Sequence, residues 1–379
     1  GGWGVLSRRV VIVSPGGLSD SGGVERVMRY AARFFESRDL KVAVVDRGRL
    51  GRSAIFRLLG PFARGPLAPL VESFCYSLLA SGVARGGDLV VSNGFAAAFL
   101  RADVLFSHGS MRGARHAVKG RHLLWGPEEL LELVAGRLAR RVVAVSRKAG
   151  REWARLYGMR RDRIRVVPNC VDAAHFAPAP AAAPAAAPGG KAPLGPSASV
   201  RVLFVGRLEP RKGIDRLLRV ARSAGGEFSF TVATPPCEGL EEFRGIGNLR
   251  LLVGVPMSDL PELYRSHDVF FFPSRYEGFE MVSLEALACG LPVVGTRVGG
   301  MAELALRGFP GVEILEAPDD AGAVLAALRR AAETWRAPDM KRRLHEATAR
   351  DYGTEAWASA LNGAIGDLMP GYSREGSRG

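Results

Sequence analysis

The pattern that most constrains this chain runs twice. Short β-branched segments alternate with segments of helical spacing, the series breaks at an Ala/Pro run, and then it restarts. Before the break, strands are expected at 10–14, 41–46, 88–92, 103–107, 142–146 and 164–167. After it they are expected at 201–205, 228–233, 249–253, 269–272, 292–295 and 312–315. Val24, Val27, Met28, Ala31 and Phe35 recur at helical spacing and make 23–35 the first crossover helix. Such alternation builds parallel sheets from strand–helix–strand units. The break, 177–188, is almost only Ala and Pro, and a Gly/Pro/Ser-rich stretch continues to 199, a composition that forms a semi-rigid linker without a core. The expected organisation is one Rossmann-like α/β domain over 1–176, a linker over 177–199 and a second Rossmann-like domain over 200–350. A terminal segment, 351–379, is expected to send a helix back to the first domain and end in a polar tail. Ligands of such sheets bind beyond the carboxyl ends of the strands, so both domains are expected to present loops to a cleft.

Charge divides along the same line. The 379 residues carry a formal net charge of +14. Residues 1–180 hold 29 Lys+Arg against 14 Asp+Glu, whereas 181–379 hold 23 against 24. The first half is therefore expected to meet something anionic: nucleic acid, an anionic membrane surface or a phosphorylated acceptor. Within 47–85, Arg is mixed with Ile55, Phe56, Leu58, Leu59, Phe62 and Leu67 and interrupted by Pro61, Pro66 and Pro69. That mixture fits a surface resting on an anionic membrane, and equally a pair of packed helices. The four cysteines show no C-x-x-C pair and read as reduced thiols of a cytosolic protein. No apolar run is expected to reach the ~18 residues of a membrane helix, and no secretory signal is expected before the first strand. A cytoplasmic location is expected, with peripheral attachment at the inner face of the membrane. Nucleic-acid motifs are absent, and so is Gly-x-Gly-x-x-Gly after the first strand, which argues against a nucleic-acid-binding protein and an NAD-dependent dehydrogenase.

Several segments carry candidate chemistry. Gly206-Arg207-Leu208-Glu209-Pro210-Arg211-Lys212-Gly213 follows a strand and opens a helix. It reads either as a pyrophosphate site at a helix start or as a basic turn. Glu277 lies in the loop after the strand at 269–272, and Glu285 in the first turns of the next helix. Two such carboxylates can accept hydrogen bonds from sugar and ribose hydroxyls, or can be a helix-starting acid beside an unrelated Glu. In the first half, Ser14-Pro15-Gly16-Gly17 and Gly22-Gly23 follow the first strand, as a plain turn or as a backbone site for phosphate. His108 ends another strand and is either structural or at the site. No Asp-x-Asp ends a strand, so no metal is required, and Asp319-Asp320 reads as a helix cap.

Taken together, Gly206-Arg207, Lys212-Gly213, Pro273-Ser274, Glu277-Gly278-Phe279, Glu285-Ala286, the run from Ala288 to Val294 and Gly299-Gly300 resemble the family 4 glycosyltransferases, or glycosyl transferases group 1. The resemblance is strong over 201–303 and loose in the first domain. It implies the GT-B architecture, two Rossmann-like parallel-sheet domains facing a cleft. It also implies an enzyme that moves a hexose-type sugar from a nucleoside-diphosphate sugar to an acceptor hydroxyl, with retention of anomeric configuration and no cofactor. By resemblance, Arg207 and Lys212 bind the donor pyrophosphate, Glu277 the donor sugar and Glu285 the ribose. Gly278, Phe279, Glu280, Met281 and Val282 line the donor, Gly22 and Gly23 approach its phosphates, and His108 stands at the reacting centre. The catalytic set is then His108, Glu277, Arg207 and Lys212, and the acceptor is expected to be anionic, lipid-linked or membrane-proximal. A nucleotide-sugar epimerase or a glycosyl phosphorylase of the same fold is the nearest alternative. Two departures stand out. Glu280 occupies a position where many relatives carry Gly, as a solvated helix-start acid or as a residue that alters donor preference. Thr234-Pro235-Pro236-Cys237-Glu238-Gly239 replaces the usual Gly-rich turn, so nucleotide contacts are not carried over to it. Asn169 and Asp172 read as architecture.

Overall fold

A computed structural model of the chain describes residues 9–19, 22–120, 124–179 and 199–369. They fall into two compact units, one within Gly1–Pro168 and Trp357–Gly379, the other Asn169–Ala356.

The first unit holds strands β1 (Arg9–Val13), β2 (Lys41–Val45), β3 (Leu89–Asn93), β4 (Val104–Ser107), β5 (Arg141–Ala144) and β6 (Ile164–Val166). They form one parallel sheet in the order β2-β1-β3-β4-β5-β6. Val10 to Val13 are fully buried, as expected where helices cover both faces of a parallel sheet. Helix Gly23–Glu36 buries Val27, Met28, Ala31 and Phe35, four of the five residues whose spacing foretold it. The strand order reverses at β1, and Asn93 Nδ2 donates to Ser14 Oγ at 3.1 Å beyond the ends of β3 and β1. Trp357, in helix Thr354–Ile365, belongs to this unit and packs edge-on against Tyr30 and Phe34, each at 6.4 Å. Arg141 reinforces the attachment by donating to Ala364 O at 2.7 Å.

The second unit holds β7 (Val200–Val205), β8 (Phe228–Thr234), β9 (Leu249–Val253), β10 (Val269–Phe272), β11 (Val293–Gly295) and β12 (Val312–Ile314). These also form a parallel sheet, in the order β12-β11-β10-β7-β8-β9. Its core joins Val202, Phe204, Phe230 and Phe271 to Leu217 and Leu218 of helix Ile214–Ser223 and Val324 and Leu328 of helix Ala321–Thr334. Here the order reverses between β7 and β10, and a crevice opens at such a switch point.

All twelve expected strands are present, with ends shifted by a residue or so. Other expectations are corrected. The first domain was expected to run to 176, but Asn169 onward joins the second unit, because Val171 bridges to Gly353 and Asn169 donates to Phe279 O. The stretch Gly65–Val83 is helical over 19 residues and apolar enough to meet the length and composition of a membrane span, with 28% of it buried. Prolines 61 and 66 enter the short turns Gly60–Phe62 and Gly65–Leu67 that lead into helix Ala68–Val83. Helices Met111–Lys119 and Gly299–Leu306 were not anticipated. Most of the expected linker, 180–198, and the tail, 370–379, lie outside the described residues.

Candidate functional site

The chemistry-bearing loops of the second unit leave the carboxyl ends of β7 and β10, which pair directly with Val269 beside Val202 and Phe270 beside Leu203. The loop after β7 ends in the short turn Pro210–Lys212. Gly213 then enters the helix with a left-handed φ of 73°. A Cβ on Gly213 would stand 2.1 Å from the carbonyl oxygen of Pro273, so glycine is what lets the two loops touch. Arg275 stitches them further. Its backbone N–H donates to Arg211 O at 2.7 Å, and its guanidinium donates to Pro210 O at 3.1 Å and forks onto Asp215 at 2.6 and 2.7 Å. Arg216 donates to Pro273 O at 3.2 Å. The two loops form one hydrogen-bonded frame.

On that frame Lys212 Nζ lies 2.7 Å from Glu277 Oε1, with 14% and 8% of the two side chains exposed. Arg211 Nη1 lies 3.3 Å from Glu277 Oε2, and Ser274 Oγ donates to Oε1 at 3.1 Å. Arg211 and Ser274 stand in segments quoted from the sequence but were given no site role there; their places beside Lys212 and inside the loop after β10 were the available signal. Arg207 stands apart, 62% exposed and paired with Glu209 at 3.1 Å. The structure thus brings Lys212 and Glu277 together and leaves Arg207 at the rim.

Glu280 is not a solvated acid. It is buried, its Oε2 accepts from Gly300 N at 2.8 Å and its Oε1 from Met301 N at 2.9 Å, so it caps helix Gly299–Leu306. Gly299 adopts φ 55°, and a Cβ there would lie 2.4 Å from Glu280 Oε2 and 2.6 Å from Glu277 Cβ. Burial, and next the charge of Glu277, push the Glu280 carboxyl up to about 8, against the pull of the amides that bond it. Gly278, Phe279 and Met281 are buried too, and Val282, half-buried, opens helix Val282–Ala288. The Phe279 carbonyl accepts from Asn169 Nδ2 at 2.7 Å, so Asn169 braces this loop. Glu285 is fully buried in that helix, and its Oε2 accepts from the Tyr264 hydroxyl at 2.8 Å.

The remaining candidates belong to the first unit. Gly22 is the N-cap of helix Gly23–Glu36, in extended conformation, and a Cβ on it would stand 2.4 Å from Glu25 Oε2. His108 follows β4. It is half-buried as a residue, but its Nε2 is enclosed without a hydrogen-bond partner among the described residues. Desolvation lowers its pKa to about 4, so the ring is neutral near pH 7. Among the described residues no group of three or more His, Cys, Asp or Glu side chains is arranged to hold a metal ion. Asp320 caps helix Ala321–Thr334, accepting from Gly322 N at 2.9 Å and Ala323 N at 3.2 Å.

Comparison with known proteins places these features in context. The family model described as Glycosyltransferase Family 4 matches residues 21–175, and that described as Glycosyl transferases group 1 matches 199–334. The chain is 33% identical over 246 residues to a D-inositol 3-phosphate glycosyltransferase of Thermomonospora curvata, covering 59% of this chain and 55% of the relative. It is 37% identical over 168 residues to a protein of the same name from Saccharomonospora viridis, covering 40% and 38%. The matched stretches thus span about half the length, or less, of these curated relatives. Among solved structures, sucrose-phosphate synthase from Thermosynechococcus elongatus superposes with a TM-score of 0.72 at 18% identity, covering 95% of this chain and 99% of that one. Anabaena HepE, solved with UDP and glucose, does so with a TM-score of 0.68 at 17% identity, covering 95% and 99%. At such identities the likeness speaks to fold, and the fold is GT-B. With one family model on each unit, the chain belongs to the family 4 glycosyltransferases, the glycosyl transferases group 1.

Proposed function

We propose that this protein transfers a hexose-type sugar from a nucleoside-diphosphate sugar to an acceptor hydroxyl with retention of anomeric configuration. The observation that carries this reading is the Lys212–Glu277 pair at the β7/β10 switch point, 2.7 Å apart. It sets an ammonium suited to a diphosphate beside a carboxylate suited to sugar hydroxyls, both on one rigid frame. The solved relative HepE carries UDP and glucose, which supports the donor class.

In the reaction, the bond from the anomeric carbon to the phosphate oxygen breaks and the acceptor oxygen bonds the same face. The acceptor proton passes to the departing phosphate. Negative charge grows on the diphosphate, and Lys212 and Arg207 stabilise it. Lys212 exchanges Glu277 for phosphate, which leaves the carboxylate to accept from the sugar. Glu285 serves the ribose, Gly22 and Gly23 open helix amides toward phosphate, and neutral His108 hydrogen-bonds the sugar at the reacting centre. With cations meeting the leaving-group charge, the step proceeds without a metal cofactor.

The acceptor is anionic, lipid-linked or membrane-proximal, and the protein works at the inner face of the membrane. Leu58, Phe62 and Leu67 are 74%, 69% and 59% exposed, and exposed Arg52, Arg57 and Arg64 lie among them. Apolar side chains beside guanidinium groups suit an anionic bilayer surface. The curated relatives are named for an acceptor that bears a phosphate, which fits the basic first half.

Thermal-shift titration with UDP, GDP and ADP and their hexose conjugates tests the donor reading. One base should stabilise the protein; stabilisation by none of them would overturn it.

A further inference from the structure

The turn that carries His108 is tied to buried side chains on both sides. Ser107 Oγ donates to Gly109 O at 2.7 Å, spanning His108. Trp153 Nε1 donates to the same two groups, to Ser107 Oγ at 2.5 Å and to Gly109 O at 3.3 Å. Past His108, Met111 N donates to Glu132 Oε2 at 2.9 Å and Arg112 N to the Tyr157 hydroxyl at 3.3 Å. That hydroxyl in turn donates to Glu132 Oε2. Trp153 lies in helix Arg147–Leu156, Tyr157 is its C-cap, and the two rings pack at 4.9 Å. Glu132 comes from helix Pro127–Leu138, and all three side chains are buried. Burial pushes the Glu132 carboxyl up to about 7 against the pull of its two bonds, with Glu152 and Glu129 adding to the rise. Both bonds end on Oε2, which leaves Oε1 to carry a proton, so the clamp holds in either protonation state. His108 Nε2, by contrast, is enclosed and has no hydrogen-bond partner among the described residues.

We infer that Trp153, Tyr157 and Glu132 are positioning residues: they clamp the turn on either side of His108 and hold its imidazole in one place for the donor sugar. This rests on the proposed place of His108 at the reacting centre. A buried network whose members satisfy one another is rigid. Here it uses up polar groups of the turn and leaves the imidazole for a ligand. Bond exchange at an anomeric carbon is sensitive to misplacement of about 1 Å, so a looser turn should slow the step more than it weakens donor binding. A core that only filled space would need the rings of Trp153 and Tyr157, but neither the indole N–H nor the hydroxyl.

The test follows His108 by NMR and turnover by kinetics, both in the full chain. Y157F removes the hydroxyl at constant ring size, W153F the indole N–H and E132A the shared acceptor, while E132Q keeps an amide oxygen able to accept both bonds. The imidazole Cε1–H resonance of His108 is identified by its loss in H108Q. In the wild type, burial lowers the ring to about 4, so this resonance should hardly move between about pH 8 and 5. In Y157F, W153F and E132A water should reach the ring, and the resonance should titrate with a midpoint between about 5 and 6.5. The same variants should lose about tenfold in kcat with donor KM within about threefold, whereas E132Q should stay within about threefold in both. Y157F carries the test if the other variants do not fold. If H108Q is slow, a fixed His108 resonance or wild-type kcat in every folded variant overturns the positioning assignment alone. Wild-type kcat in H108Q overturns the place of His108 at the reacting centre, and this inference with it.

Discussion

Lys212 meets Glu277 at 2.7 Å across the gap between two loops that the sheet order makes neighbours. In the proposed reaction, removing the ammonium would strip the diphosphate of its compact cation; in the structure it leaves Glu277 with Arg211 and Ser274. We expect Lys212→Ala to lower kcat/KM about a hundredfold and Lys212→Arg to recover little of it, because a guanidinium does not reproduce a point charge at this depth. Kinetics with the preferred donor decide the matter. Wild-type turnover in both variants would remove Lys212 from the reaction.

Gly213 should tolerate no side chain. Its left-handed φ and the 2.1 Å approach to Pro273 O act together, so Gly213→Ala should cost about 2–4 kcal/mol in urea denaturation. Gly225, which has nothing within 4 Å, is the control, and Gly225→Ala should change stability by less than about 1 kcal/mol. Equal effects at the two sites would show that the loop contact contributes little.

Glu280 should leave a mark on the pH dependence of stability. Its carboxyl is pushed from 4.5 up to about 8 by burial and then by Glu277, so between these values the folded protein binds the proton more tightly than the unfolded chain. The contribution is fully present below about pH 4.5 and is lost as pH rises through about 8. Glu280→Gln removes this titration, so its melting temperature should improve relative to wild type between about pH 5 and 8. A constant difference across that range would mean that Glu280 is not held in its protonated form.

The membrane proposal makes a separable demand. Replacing exposed Arg52, Arg57 and Arg64 with Glu should abolish co-sedimentation with vesicles containing phosphatidylglycerol and leave nucleotide binding intact. Binding of the wild type to anionic vesicles should also fall as salt is raised. Equal, negligible sedimentation of the wild type with neutral and anionic vesicles would dismiss membrane attachment.

Chelation provides a further check. If Arg207 and Lys212 meet the leaving-group charge, treatment with EDTA followed by gel filtration should leave more than about half of the transfer rate. Loss of activity that magnesium or manganese restores would require a metal in the step.

Much of the site was legible as residue types in order. Lys212 was conspicuous as one of six lysines against 46 arginines, and Glu277 by its place after a buried strand. Helix Gly299–Leu306 escaped notice because it is only eight residues long and begins with two glycines, which read as a break. Helix Met111–Lys119 follows His108 and Gly109 so closely that the strand end masked its Ser110 cap. The role of Glu280 could not be read locally, since its partners, Gly300 N and Met301 N, stand 20 and 21 residues on in sequence, in the helix after β11, the strand that pairs directly with β10.

The sequence by itself determined the two sheets, because β-branched runs bounded by turns leave the backbone few alternatives and hydrophobic spacing selects the helices between them. It also determined which loops carry cations and which carry carboxylates. Only the tertiary structure decided the pairings. Adjacency of β7 and β10 sets Lys212 on Glu277, while Arg207, in the same loop, turns outward to Glu209. The close approach permitted by Gly299 converts Glu280 from a surface acid into a buried helix cap. Local propensity depends on neighbours along the chain, whereas the state of a charged side chain depends on what folding places within a few ångströms of it.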